Sequence, residues 1–238
     1  MGRPVVAPAV SDATSPTDAL RRECGGLWES LHEQPFLREI AAGTLPLPRF
    51  RLFLEQDLHF LPASVRALGL GLARANDDEQ MRLLVEEAAV IVEREIESER
   101  DLLRRVEELT GPADGAERTP TPATVAYTGW LLASAARGDA LDVLVALLPC
   151  AWSYAEIALA LEGEVADHPI YADWVRLFAT PEYVDAVAAR RASLDELVRR
   201  VSDRRLSKLS ELFTTATRLE LLFWDMAYRG AHWPDLRR

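Results

Sequence analysis

The chain has 238 residues, of which 49% are hydrophobic and 27% charged, and its formal net charge is −11. This length suffices for one large domain or two small ones, and the acidic balance without a basic stripe argues against a nucleic-acid partner or an anionic membrane surface. The only two cysteines, Cys24 and Cys150, do not form a disulfide framework and favour a reducing, cytoplasmic location.

The N-terminal residues 1–18 are small, polar and proline-containing, and they predict a flexible tail. They lack the long apolar core of a signal peptide, and no uninterrupted apolar run in the chain is long enough for a membrane span. The remaining residues, 19–238, are predicted to form a single domain.

Helical spacing dominates from Ala19 onward, and the alternation typical of strands is missing. A first helix is predicted over 19–42, and Gly25-Gly26 is a point where it can split. Leu47-Pro48 begins the second helix, since proline is tolerated in a first turn. A capping signal at 76–79 begins the third, which runs to about Leu109.

The third helix has a heavily charged middle, Glu93–Arg100, which predicts a solvated face with intrahelical ion pairs. Gly111–Thr121, rich in proline and glycine, predicts a long loop. Further helices are predicted over 122–137 and 139–161, from His168-Pro169, from Thr180-Pro181, and from about Asp203 to Tyr228. Together these elements predict an all-α fold, a single-domain bundle of about seven helices.

The apolar stretch Val145–Tyr154 contains a proline, a cysteine and a tyrosine within one predicted helix. Pro149 removes one backbone hydrogen bond, so it should free the carbonyl of Val145 and kink the helix near Cys150. A cysteine after a kink and one turn before Tyr154 is a candidate reactive centre. The alternative is a small buried hydrophobe beside a packing tyrosine, because free cysteine is often buried and inert.

Asp57 and Glu220 each lie in the middle of an otherwise apolar helical stripe. Burying a lone carboxylate is costly, so each is either satisfied by a buried tyrosine, tryptophan or arginine, or belongs to a functional site. Together with Cys150, Tyr127 and Tyr154, the two acids predict a closed, aromatic-lined pocket. Because the lining is aromatic, the ligand should be flat, and because no lining residue is basic, the ligand should be neutral or cationic.

Short motifs spread along residues 28–233 resemble the TenA/thiaminase II family in both order and spacing. The matching segments are Trp28, His32–Phe36, Glu39-Ile40, Gly43–Pro46, Phe50, Gln56-Asp57, Ala126–Thr128, Ala146–Cys150, Trp152, Tyr154–Glu156, His168–Tyr171, Trp174, Glu220 and Phe223–Tyr228. The resemblance implies a haem-oxygenase-like helical fold and a homotetramer.

The resemblance also implies an activity in thiamine salvage. The family hydrolyses 4-amino-5-aminomethyl-2-methylpyrimidine, releasing ammonia and the hydroxymethylpyrimidine, and many members also cleave thiamine. The cysteine-bearing branch of the family uses the thiol found here at Cys150.

Site roles carry over from the same resemblance. Cys150 is the implied nucleophile and Glu220 the implied general acid, while Asp57 would hydrogen-bond the 4-amino edge of the ring. Phe60, within Leu58-His59-Phe60, follows Gln-Asp where relatives often have two consecutive aromatic residues, usually tyrosines; it keeps a ring for stacking without a hydroxyl. The implied orienting residues are Tyr127, Tyr154 and Tyr171.

Two other classes of function stay open from the sequence. A metal-dependent oxidase or haem protein of the same fold would need clustered histidines, but His32, His59, His168 and His232 are scattered, so we expect no metal and no cofactor. A non-catalytic pyrimidine- or thiamine-binding protein would keep the pocket without turnover.

Overall fold

The computed structural model describes residues 15–111, 119–165 and 168–234, and within these ranges the secondary structure is entirely helical. The all-α prediction is therefore confirmed for the described residues. Most of the predicted tail (1–14) and most of the predicted 111–121 loop lie outside them. The helices are α1 (Pro16–Glu23), α2 (Gly26–His32), α3 (Pro35–Ala41), α4 (Leu47–Leu72), α5 (Asp78–Val90), α6 (Ile96–Thr110), α7 (Pro122–Arg137), α8 (Ala140–Leu161), α9 (Pro169–Ala179), α10 (Pro181–Val198) and α11 (Asp203–Arg229).

The predicted first helix is in fact three short helices, α1 to α3. The first begins at Pro16, three residues before the predicted start, because the Ser15 side chain caps it by accepting from the Asp18 amide. Gly25 then adopts a positive φ of 55°, which ends α1 where the sequence predicted a split. Pro35 occupies the first turn of α3 and starts a new helix direction.

A π-helical turn, Ile91–Glu95, separates α5 from α6 inside the predicted third helix. A π turn inserts one extra residue into the helical register and therefore rotates every following side chain. This turn and the split of the first predicted helix account for the larger number of helices than the predicted seven or so.

Helix α8 runs through the interior, and almost all of its residues are buried. It has the length and hydropathy of a membrane-spanning helix, contrary to the expectation that no run is long enough, but most of it is buried inside the protein. Proline does not end it, since α8 continues through Pro149 to Leu161. The kink at Cys150 stays a prediction.

Partly buried ion pairs and hydrogen bonds hold both ends of α8. Near its start, Asp142 accepts from Arg205 at 2.5 Å and from Lys208 at 2.7 Å, which ties α8 to α11. Near its end, Glu156 accepts from Arg21 and Trp28, which ties α8 to α1 and α2. These contacts fix the middle of α8, where Cys150 lies.

Gln56 joins α4 to the start of α7. Its Oε1 atom accepts from the Thr121 amide at 2.8 Å and from the Thr124 hydroxyl at 2.7 Å, and its Nε2 donates to the Thr119 carbonyl. The neighbouring Asp57 on α4 and Tyr127 on α7 are thereby held in a defined relation to each other.

Candidate active site

A narrow, closely packed cavity lies where α4, α7, α8 and α11 meet. It contains six of the seven predicted site residues, and Cys150 is the only lining residue that is partly exposed, while the others are buried. The sequence therefore predicted most of this constellation. The lining residues are Asp57, Phe60, Tyr127, Cys150, Tyr154, Glu220 and Phe223.

Glu220 is the central polar group of the cavity. Its Oε1 atom accepts a hydrogen bond of 2.6 Å from the Tyr127 hydroxyl, and its carboxyl also interacts with the Cys150 thiol. Burial raises the pKa of Glu220 to about 7, although the hydrogen bond from Tyr127 opposes the shift. At neutral pH this carboxyl can therefore both accept and donate a proton.

The Cys150 thiol is held in its protonated form. Burial raises its pKa well above the ordinary value, and the carboxylates of Glu220 and Asp57 add to this effect. Among the described residues, neither acid forms an ion pair with a lysine, arginine or histidine. Ionisation of the thiol thus requires a nearby acceptor for its proton.

Asp57 is the second acid of the cavity, and it lies beside two acids that the sequence analysis did not identify. Burial raises the pKa of Asp57 to about 6, while an interaction with the Glu99 side chain opposes the rise. Glu95 also acts electrostatically on Asp57, and its own pKa is raised to about 8, mainly by burial. The predicted solvated face over 93–100 is therefore wrong at Glu99, which is fully buried.

Aromatic rings form the walls of the cavity. The ring of Phe60 lies 4.5 Å from that of Tyr127, centroid to centroid, and Phe223 completes this wall. Tyr154 stacks on Trp224 with centroids 5.3 Å apart. Phe223 was missed as a site residue, although its place three residues after Glu220 puts it on the same helix face.

The structure does not bring Tyr171 to the cavity. Its hydroxyl donates to the Leu45 carbonyl at 2.5 Å, and its ring stacks on His168 with centroids 3.8 Å apart. Its contacts anchor α9 to the loop before α4. Tyr171 therefore belongs to the packing that surrounds the site.

The described residues contain no group of three or more His, Cys, Asp and Glu side chains arranged to hold a metal ion. His32 lies 3.2 Å from Glu156, and His168 caps α9 by accepting from the Tyr171 amide. Both histidines thus have structural partners away from the cavity. A wider depression between α5 and α10 is lined mainly by charged side chains and contains none of the predicted site residues.

Comparison with known proteins places these features in a family. Residues 21–230 match the model of the TENA/THI-4/PQQC family. An aminopyrimidine aminohydrolase from Halalkalibacterium halodurans is 34% identical over 209 residues, which are 87% of this chain and 92% of that protein.

Solved structures agree with this match. The TenA homologue protein from P. horikoshii superposes with a TM-score of 0.78 at 33% identity, covering 92% of this chain and all of that one. Heme oxygenase from Leptospira interrogans has a TM-score of 0.62 at 14% identity, covering 89% of this chain and 98% of the other. The expected haem-oxygenase-like fold is confirmed.

Proposed function

The chain belongs to the TENA/THI-4/PQQC family, and from this premise we propose that it is an aminopyrimidine aminohydrolase of thiamine salvage. The reaction replaces the amine of 4-amino-5-aminomethyl-2-methylpyrimidine by a hydroxyl and releases ammonia. One observation carries the proposal: Cys150, Glu220 and Tyr127 meet in a cavity whose other walls are an acid and aromatic rings.

The first half of the reaction begins with the thiol. Glu220, with a pKa of about 7, takes the proton of Cys150, and the thiolate adds to the ring carbon beside N1. The protonated Glu220 returns this proton to N1, which makes the ring electron-rich. The electrons then expel the protonated amine as ammonia and leave a methylene group at C5.

The second half reverses the addition. Water attacks the methylene carbon and gives up a proton to the departing ammonia, while the proton on N1 passes through Glu220 to the sulfur as the bond between sulfur and the ring carbon breaks and the ring regains aromaticity. Atoms balance as aminomethylpyrimidine plus water giving hydroxymethylpyrimidine plus ammonia. Covalent catalysis thus divides one difficult displacement into two easier steps.

The other residues of the cavity bind and orient the ring. Asp57 accepts from the 4-amino edge, because a carboxylate forms strong charge-assisted hydrogen bonds with such donors. Phe60 and Tyr154 hold the flat ring, and the Tyr127 hydroxyl orients the carboxyl of Glu220. A pocket of acids and aromatic rings suits a protonated amine.

The family resemblance further supports a homotetramer in the cytoplasm. It also supports thiamine cleavage as a second activity. We propose the aminomethylpyrimidine as the preferred substrate, because the relative that is 34% identical is an aminopyrimidine aminohydrolase.

The test is a comparison of wild type with Cys150→Ser. Ammonia release from the aminomethylpyrimidine and thiazole release from thiamine are followed by chromatography, and affinity for the hydroxymethylpyrimidine product is measured by calorimetry. We expect Cys150→Ser to keep the affinity and lose turnover by several orders of magnitude, since a serine hydroxyl is much less acidic than a thiol and is far harder for Glu220 to deprotonate.

Two outcomes would contradict the proposal. Near wild-type hydrolysis by the serine variant excludes covalent catalysis at Cys150. A wild type that binds the product but releases neither ammonia nor thiazole is a binding protein.

A further inference from the structure

Glu99 is a buried acid that the proposed mechanism does not use. It lies on α6 within the buried stripe formed by Ile96, Leu102 and Val106, and its exposure is 0%. Among the described residues, no donor group forms a hydrogen bond with either of its carboxyl oxygens. An ionised carboxylate in such surroundings is costly, so this position requires either a partner or a bound proton.

The polar group beside Glu99 is the carboxyl of Asp57, the acid that lines the cavity. Two adjacent carboxyls in an apolar environment cannot both ionise, so they share one proton. Burial and the charge of Asp57 raise the pKa of Glu99 well above its ordinary value, whereas the pKa of Asp57 rises only to about 6. Because Glu99 is fully buried while Asp57 lines the cavity, the shared proton is assigned to Glu99 and the negative charge to Asp57.

The remaining groups that act electrostatically on this pair are all acids in their own right. The thiol and the phenols among them stay protonated and neutral, and among the described residues none of the four carboxyls, those of Asp57, Glu95, Glu99 and Glu220, forms an ion pair with a basic side chain. The groups are Glu95 from the π turn, Tyr127 from α7, Cys150 and Tyr154 from α8, Tyr183 from α10 and Glu220 from α11.

We infer that Glu99 is a positioning residue: its neutral carboxyl donates to Asp57, keeps that carboxylate ionised and aims its free oxygen at the amino edge of the pyrimidine. Glu99 is not among the residues that line the cavity, so it acts only through Asp57. The inference rests on the proposed function, because it assigns Asp57 the role of ring recognition.

The π turn offers a reason for this placement. Glu95 closes the turn, and Glu99 follows four residues later on the same helix face. The extra residue of a π turn rotates α6 relative to α5, and such turns are frequent at functional sites. The charged stretch that resembles a solvated face in the sequence is thereby directed partly inward.

The experiment compares Glu99→Leu, Glu99→Gln and the matched control Glu97→Leu, an exposed position on the same helix. Calorimetry measures affinity for the hydroxymethylpyrimidine from pH 5 to 8.5, and kcat/KM for the aminomethylpyrimidine is measured over the same range. We expect Glu99→Leu to weaken binding at least tenfold at pH 7 and to move the acidic limb of both profiles to higher pH, because Asp57 loses its donor. Glu99→Gln keeps an N–H donor, so its affinity should stay within about threefold and its acidic limb in place.

A double-mutant cycle separates positioning from packing. In an Asp57→Asn background, Glu99→Leu should cost little further affinity, since no charge remains to be held. The inference is wrong if Glu99→Leu costs as much affinity in the Asp57→Asn background as in the wild type. It is also wrong if Glu99→Leu folds but the acidic limb of its pH profiles stays where it is in the wild type. If Glu99→Leu does not fold, Glu99→Gln decides alone: a tenfold loss of affinity or a displaced limb contradicts it.

Failure of this inference is distinguishable from failure of the proposed function. If the wild type releases ammonia and the Glu99 variants behave like Glu97→Leu, the assignment as a hydrolase stands and only the positioning role of Glu99 is wrong. If the wild type has no turnover, the assignment as a hydrolase is wrong. The pH dependence of product affinity in the Glu99 variants still tests whether Glu99 positions Asp57.

Discussion

Glu220 contacts both the Tyr127 hydroxyl and the Cys150 thiol, so one carboxyl influences two proton-transfer partners. Its pKa of about 7 is the value at which a group exchanges protons efficiently in both directions near neutral pH. The same carboxylate raises the pKa of the thiol that it must later deprotonate. Removing the negative charge of Glu220 should therefore lower turnover but raise the reactivity of the Cys150 thiol.

Glu220→Gln tests this opposition. We expect turnover to fall by roughly 100- to 10,000-fold, the usual contribution of general acid–base catalysis. We expect alkylation of Cys150 at pH 7 to become faster, because removing the negative charge lowers the thiol pKa. Stopped-flow alkylation in a Cys24→Ser background measures the thiol alone.

Glu211→Gln, at an exposed position on the same helix, is the control and should change neither rate. Unchanged turnover in Glu220→Gln would remove this residue from the mechanism. Slower alkylation in that variant would show that Glu220 promotes ionisation of the thiol rather than opposing it.

At the residue scale, the sequence predicted side chains whose environment follows from their own helix. Asp57 and Glu220 stand out because each interrupts an apolar stripe, and Cys150 stands out because it follows a proline inside a helix. Tyr171 was misplaced because a buried tyrosine looks the same in sequence whether it lines a cavity or stacks on a neighbour. Glu99 was missed because its own segment is charged throughout, and only the tertiary structure shows which of its acids turns inward.

At the scale of the element, two helices that line the cavity contain interior prolines. Pro149 directly precedes Cys150 in α8, and Pro62 lies two residues after Phe60 in α4. Each proline deprives the carbonyl four residues earlier of its helical donor. The backbone of α8 thus lacks one hydrogen bond just where the nucleophile lies.

Pro149→Ala should restore that bond and shift the thiol. We expect kcat to fall by at least tenfold, since displacements of about 1 Å at a reacting group cost up to about a hundredfold. Thermal unfolding should show a folded protein with a melting temperature near that of wild type.

Pro181→Ala is the control, because a first-turn proline removes no internal helical bond. Wild-type kcat in Pro149→Ala would mean that this proline has no part in placing the thiol.

Element boundaries followed local chemistry where the chain carries caps or first-turn prolines. Helix α7 coincides with its predicted range and α8 begins one residue after the predicted start, since Thr121 caps the first and Asp139 forms a capping box on the second. The π turn had no such signal, because its register depends on how α5 and α6 pack on α4. Sequence thus specified the helices better than their mutual rotation.

At the scale of the whole molecule, the acids in and beside the site, half-buried Glu95 among them, should lower stability as the pH rises. The pKa of Glu95 is about 8 in the folded protein against an ordinary value of 4.5. Its contribution is fully present below about pH 4.5 and is lost as the pH rises through about 8, because the folded state binds the proton more tightly than the unfolded state.

Glu95→Gln should therefore reduce the fall in the free energy of unfolding between pH 5 and pH 8, by on the order of a few kcal/mol. Urea unfolding at several pH values measures this difference, and subtracting the wild-type profile removes the contribution of all other groups. Glu93→Gln, at an exposed position in the same π turn, should leave the profile unchanged. Parallel profiles for wild type and Glu95→Gln would contradict the raised pKa.

The small size of the cavity has a kinetic consequence. The lining side chains pack so closely that the free space between them does not admit a water molecule, so a bound ring leaves no room for stored water beside it. Hydrolysis nevertheless needs ammonia to depart and a water molecule to arrive between the two halves of the reaction. Each catalytic cycle must therefore include a breathing motion of the surrounding helices, and solvent viscosity, which slows such motions, should limit kcat.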